Sequence, residues 1–321
     1  MRGFPRAVAA IAVATAAAGA HAGTAWVSSE KDNAITLIDT ATLAVKGTLP
    51  TCKRGRHIQR LPDGHVMLAC TDSNAADVLD ANTGKSLRRV PLGEEPEAFD
   101  VSPDGRTIYV SNEDEAETSF VDAQTGKVTK TIKVGQEPEG VKVSADGRTL
   151  YVTSEVASLV HVIDVAQGKV VKNVKVGKRP RRMAITPDGQ ELWVTNEMDA
   201  SVSIVSTATH EVVATLKFEV RGARPEDITP VGITMTPDGR RAFVALGKAN
   251  HVAFVDVAAR KVTALALVGR RAWNVALDKA GQRLWVVNGL SDDVTVVDVA
   301  SAKAIKSIPV GRVPYGVVLV E

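Results

Sequence analysis

Seven positions, roughly 42 residues apart and aligned on a recurring turn aspartate, read Arg56, Glu97, Glu139, Arg181, Val231, Trp273 and Tyr315. The position after each reads His57, Ala98, Gly140, Arg182, Gly232, Asn274 and Gly316. Arginines beside aromatic residues suit a planar polycarboxylate, because guanidinium binds carboxylates bidentately and stacks on rings. The series changes sign along the chain. It is basic at Arg56, acidic at Glu97 and Glu139, basic at Arg181 and Arg182, and aromatic at Trp273 and Tyr315. The flanking residues Arg54, Glu95, Glu137, Arg179 and Arg271 repeat the alternation. The plainer alternative is a solvated rim whose charges pair between neighbours, each exposed pair contributing about 0–1 kcal/mol. A different chemistry would use Glu97, Glu139 and Asn274 as oxygen ligands for the metal of a lactonase or hydrolase.

Cys52 and Cys70 offer soft ligands or a crosslink. Folding the chain about Asp63-Gly64 pairs His57 with Cys70 and leaves Cys52 five residues further on. A disulfide is therefore compatible with the register but not required by it. Two thiolates with the His57 imidazole would instead suit copper. No Cys-x-x-Cys-His is present, which excludes covalent c-type haem. A Gly-x-Ser-x-Gly elbow, a His-Glu-x-x-His pair and a Walker loop are absent as well. The scattered His65, His161, His210 and His251 read as strand or turn residues.

The elements that position these residues come from a repeat. Pro103-Asp104-Gly105 precedes Thr107-Ile108-Tyr109-Val110-Ser111-Asn112, then Ser119-Phe120-Val121-Asp122, Thr125-Gly126-Lys127 and Ile132-Lys133-Val134-Gly135. The turn aspartate recurs at Asp63, Asp104, Asp146, Asp188 and Asp238, at steps of 41, 42, 42 and 50 residues. Short β-branched segments bounded by Asp-Gly and Gly-Lys turns predict four strands per repeat, which is a propeller blade. The N-terminus lacks a leading strand. Tyr315 to Val320 supplies it, so the expected fold is an all-β, seven-bladed propeller of four-stranded antiparallel blades, closed by N- and C-terminal strands sharing one blade. The turns on one face are nearly uniform. The loops and links on the other vary, and function is expected there. The link from 217 to 230 carries eight extra residues on that face.

Residues 1–22 read as a signal peptide: a basic start, a short apolar run from Ala7 to Gly19, and a cleavage pattern at Ala20-His21-Ala22. The propeller is expected over 23–321, in the periplasm, with no transmembrane segment after cleavage. Without Arg2 and Arg6, lysine plus arginine falls from 39 to 37, equal to the 37 acidic residues. That balance gives no footprint for nucleic acid.

Tyr109-Val110-Ser111-Asn112, Tyr151-Val152-Thr153-Ser154 and Trp193-Val194-Thr195-Asn196 resemble the YVTN β-propeller repeat. Longer phrases are Thr51-Cys52-Lys53-Arg54, the stretch from Phe218 to Glu226, Val286 to Val294 and Ile308 to Val318. With these, the chain resembles the PQQ-dependent catabolism-associated β-propeller family over residues 24 to 320. That resemblance implies export and association with quinoprotein alcohol oxidation. It makes PQQ the cofactor to consider, and a quinoprotein dehydrogenase or other periplasmic protein the partner. The leading expectation is a non-enzymatic binding or scaffolding propeller for a small anionic ligand or protein partner. The alternatives are the metal-dependent lactonase or hydrolase, and a surface or scaffold protein without a small ligand.

Overall fold

The computed structural model describes residues 23–321. The signal-peptide reading of 1–22 lies outside them. Among the described residues no helix is long and apolar enough to cross a membrane. Seven four-stranded sheets follow one another, spanning 55–91, 96–133, 138–175, 180–217, 233–267 and 272–309, with the first blade built from 24–50 and Pro314–Val320. Every strand pair is antiparallel, and consecutive strands run outward from the axis in each blade. Closure is as expected. Pro314–Val320 pairs with Thr24–Ser29 in the register Trp26↔Val318 and Ala25↔Leu319.

Burial explains the residue choice strand by strand. Second strands such as Thr149–Ser154 are buried on both faces after their first residue, because blades stack face to face. They are accordingly rich in Val, Tyr, Trp and Thr, which fit a crowded pleated surface. Tyr109 opposes Phe120, and Phe243 opposes Phe254, as edge-to-face pairs with centroids 4.8 Å and 5.0 Å apart. Outer strands such as Val128–Lys133 bury a single residue, Ile132, and their remaining lysines and threonines face solvent.

The uniform turns are held by aspartates. Asp122 accepts bonds from the amides of Gln124 and Thr125 at 3.1 and 2.7 Å and from Thr125 Oγ1 at 2.7 Å. Gly126 completes that turn at φ +72°, where a side chain would be strained. These bonds hold the Asp122 carboxyl below the usual carboxylate range.

Inner strands depart from ideal pairing at one recurring place. A bulge falls between Gly55 and Ile58, Pro96 and Ala98, Pro138 and Val141, Pro180 and Met183, and Ala272 and Asn274. In the second blade the hairpin pairs Ile58 with Leu68, one residue off the expected register, and the extra residue adds one more. Cys70 opposes Gly55, not His57.

Candidate functional site

The bulges coincide with the positions aligned at the start. A bulge re-aims side chains and leaves a backbone group unpaired, and here hydroxyls of the second strands satisfy those groups. Thr153 Oγ1 accepts the Gly140 amide at 2.7 Å and donates to the Arg181 carbonyl of the next blade at 3.0 Å. Ser28, Ser111 and Thr195 do the same for the carbonyls of Arg56, Glu139 and Val231, at 2.7, 3.3 and 2.7 Å. In these four blades the hydroxyl third in the YVTN-like word therefore fastens one blade to the next and fixes the height of the ring. Two residues before the ring, Arg54, Glu95, Glu137, Arg179 and Arg271 all adopt left-handed backbone, φ 39° to 59°. They turn the link into the strand.

The ring itself is an ion-paired layer. Arg56 contacts Glu97 of the neighbouring blade and lies 4.5 Å from the Tyr315 ring centroid. Arg181 pairs with Glu139 at 2.8 Å and contacts Glu155. Arg182 donates to the Glu139 carbonyl at 2.7 Å and to the Tyr315 hydroxyl. Pairing across blades matches the rim alternative, but the pairs are buried, not solvated. Glu97 is fully buried and Arg181 is 3% exposed. Burial pushes the Glu139 carboxyl upward, but Arg181, Arg182 and Arg56 outweigh it and hold Glu139 below the usual range. Trp273 is covered by Arg271 at 4.3 Å and Arg181 at 5.1 Å, so its faces already hold guanidinium groups.

The nine ring residues separate into two levels. Arg56, Glu139, Arg181, Trp273 and Tyr315 line a cavity of about 760 Å³ at the mouth, to which every blade contributes. His57, Arg182 and Asn274 line a smaller axial pocket of about 180 Å³, together with Gln59, Asp100 and Lys142. Glu97 lines neither and is spent on Arg56. Burial, then the nearby Arg182 charge, lowers the His57 pKa to about 3, so the imidazole is neutral. Asp100 takes Lys142 at 3.0 Å and the Gln59 amide at 3.1 Å.

Two arrangements expected from sequence do not form. Glu97, Glu139 and Asn274 do not converge as a metal set. The first two face arginines, which repel a divalent cation, and Asn274 sits in the axial pocket. The copper set is also absent. Cys52 and Cys70 form a disulfide, Cα–Cα 5.8 Å, and the third group beside the sulfurs is Asp77. His57 instead packs on Phe99 at 4.8 Å. The hairpin register and the bulge each shift the pairing by one residue, which puts Gly55 opposite Cys70 and brings Cys52 two residues closer than pairing of His57 with Cys70 would. Closing an 18-residue separation contributes about 3 kcal/mol in the chain-entropy account. Unreduced, denatured protein should show no free thiol, and a Cys52→Ala/Cys70→Ala variant should lose about that stability in urea unfolding. Two free thiols in unreduced protein would contradict the crosslink.

Sequence reasoning missed a second acidic tier. Glu30, Glu113, Glu155 and Glu197 each follow a YVTN-like word directly, a signal legible in the repeat. Glu30 lies 3.6 Å from Arg56, and Glu155 lies 2.7 Å from Arg179. Burial, then repulsion from Glu139, raises the Glu113 pKa above the usual range. Lys248 was also missed. It reaches the mouth from the sixth blade.

Comparison with known proteins follows the fold. Residues 13–189 match the YNCE-like beta-propeller family, and residues 167–306 match the lactonase, 7-bladed beta-propeller family. No curated protein is significantly similar in sequence. Among solved structures, hydrazine synthase of Kuenenia stuttgartiensis is 23% identical, with TM-score 0.78, over 86% of this chain and 92% of that one. A protein from Lactobacillus plantarum is 16% identical, with TM-score 0.80, over 94% and 99%. A dihydro-heme d1 dehydrogenase is 16% identical, with TM-score 0.69, over 92% and 74%. At these identities the likeness is one of fold alone.

Proposed function

The chain belongs to the YNCE-like β-propeller family, and from that premise we propose that it is an exported, non-enzymatic binding protein whose axial mouth takes a small carboxylate-bearing anion. The observation that carries this reading is the mouth cavity. It is preformed, measures about 760 Å³, and is lined by five arginines, Lys248, Trp273 and Tyr315 beside five glutamates. Cavities of this size with a few fixed polar groups are the usual seats of small ligands. PQQ, a planar polycarboxylate, is the leading candidate, because the chain resembles propellers associated with PQQ-dependent oxidation. A quinoprotein dehydrogenase or another periplasmic protein is the corresponding partner. Export is supported by the N-terminal sequence and by a disulfide, which persists in oxidising compartments.

The hydrolase alternative is weaker because its carboxylates are neutralised by arginines. Calorimetric titration of residues 23–321 with PQQ and with citrate tests the reading. Saturable binding that weakens as salt rises is expected, since exposed charges are screened. Absence of binding to both, with lactone hydrolysis by zinc- or calcium-loaded protein, would replace this reading with the hydrolase.

A further inference from the structure

Most charges around the mouth neutralise one another, but one sector differs. Among the described residues, neither Lys248 nor Arg271 has a carboxylate oxygen within 4.0 Å. Both line the mouth cavity beside Trp273 and Thr229. Trp273 is 7% exposed, and its Nε1–H has no acceptor among the described residues. The carboxylates on this side, Glu226 and Asp227, lie 3.5 and 2.8 Å from Arg224, and Lys248 acts on Asp227 only through space.

The backbone under this sector is built, not loose. The eight-residue insertion buries Phe218, Val220 and Ile228 against the fifth and sixth blades. Its Thr229 accepts the Lys248 amide at 3.0 Å through Oγ1, and its own amide donates to Leu246. Gly247 permits that approach. Its φ is +52°, and a β-carbon there would lie 1.9 Å from Thr229 Oγ1. Arg271 is set by its left-handed backbone and by its amide bond to Asn250 Oδ1 at 2.9 Å.

We propose that Lys248 and Arg271 form the carboxylate seat of the mouth, with Trp273 as its floor and the insertion from 217 to 230 as its wall. This rests on the anion-binding reading and names the residues that serve it. The seat lies in the sixth and seventh blades, because Arg56, Arg181 and Arg182 are already committed to buried glutamates and Tyr315. Arg271 supplies a planar fork for one carboxylate, and Lys248 a compact charge for the same or a second one.

The test is titration of the full mature chain, Lys248→Ala, Arg271→Ala and the double variant with citrate and with PQQ. Lys127→Ala, on the opposite turn face, serves as control. Two charge-assisted bonds are at stake, so the double variant should bind at least about 100-fold more weakly, with each single change intermediate. The melting temperature of each variant is read alongside; exposed Lys248 keeps one arm interpretable should Arg271→Ala disturb Trp273. Equal affinity in parent and double variant would overturn the seat while leaving the anion-binding reading intact. A parent that binds neither probe would overturn both.

Discussion

Deleting residues 315–321 should abolish the folded state instead of trimming it. The deletion removes nearly all of the strand that pairs with Thr24–Ser29 and takes buried Tyr315 and Val317 out of the core. It exposes backbone groups of Thr24–Ser29 along a full edge and opens the packing between the first and second blades, since Pro314–Val320 lies against Gly55–Arg60 across that boundary. It also strips the ring of an aromatic residue that Arg56 and Arg182 both approach. The truncated chain is expected to give no cooperative melting transition and to bind hydrophobic dye at room temperature. A transition within a few degrees of that of the full chain would contradict closure through the shared blade.

Replacing Arg181 by Ala should be the most damaging single change in the mouth. Its guanidinium sits among Glu139, Glu155 and Glu197. Without it Glu155 and Glu197 keep Arg179, but buried Glu139 keeps only Arg182, 3.9 Å away, and breaking a buried pair in this way costs about 3–5 kcal/mol. The pH dependence carries a specific sign. In the parent, the depressed Glu139 pKa contributes stability that is present above the unfolded carboxylate pKa of about 4.3 and lost as pH falls through the folded value. In the variant, loss of the cation raises the Glu139 pKa, so the deficit should be largest near neutrality and shrink below about pH 4.5. Urea unfolding at pH 7 and pH 4 reads both effects. Arg106→Ala, at an exposed pair 4.0 Å from Asp104, should stay within about 0.5 kcal/mol of the parent. A pH-independent deficit below about 1 kcal/mol for Arg181→Ala would show that the buried pairing is energetically idle.

What could be read from the chain follows from what repeats. The turn aspartates, the β-branched second strands and the missing first strand at the N-terminus specify blade number and closure, because each is a local requirement written several times. The ring was legible as a set of positions for the same reason. Its pairing was not, because the sign of Arg56 does not say whether Glu97 meets it or faces solvent. The bulge was hidden too. Arg56-His57, Glu139-Gly140 and Arg181-Arg182 share no residue type that marks an extra residue, and the shift appears only once the strands are paired. That shift, with a hairpin register one residue off the expected one, separates His57 from Cys70 and seats Cys52 near Cys70, and the bulge divides the ring between the mouth and the axial pocket. The insertion was visible as extra length. That its Thr229 holds the loop bearing Lys248 depends on Gly247, whose conformation the repeat does not announce.

The most direct measurement is a crystal structure of the mature protein with PQQ, under conditions in which titration shows saturation. The ligand should lie in the mouth cavity on the side of the sixth and seventh blades. A carboxylate should sit within hydrogen-bond distance of the Arg271 guanidinium and Lys248 Nζ, with the Arg56–Glu97 and Arg181–Glu139 pairs unbroken. Ligand density on the turn face or along the outer strands, with the mouth unchanged, would contradict the account.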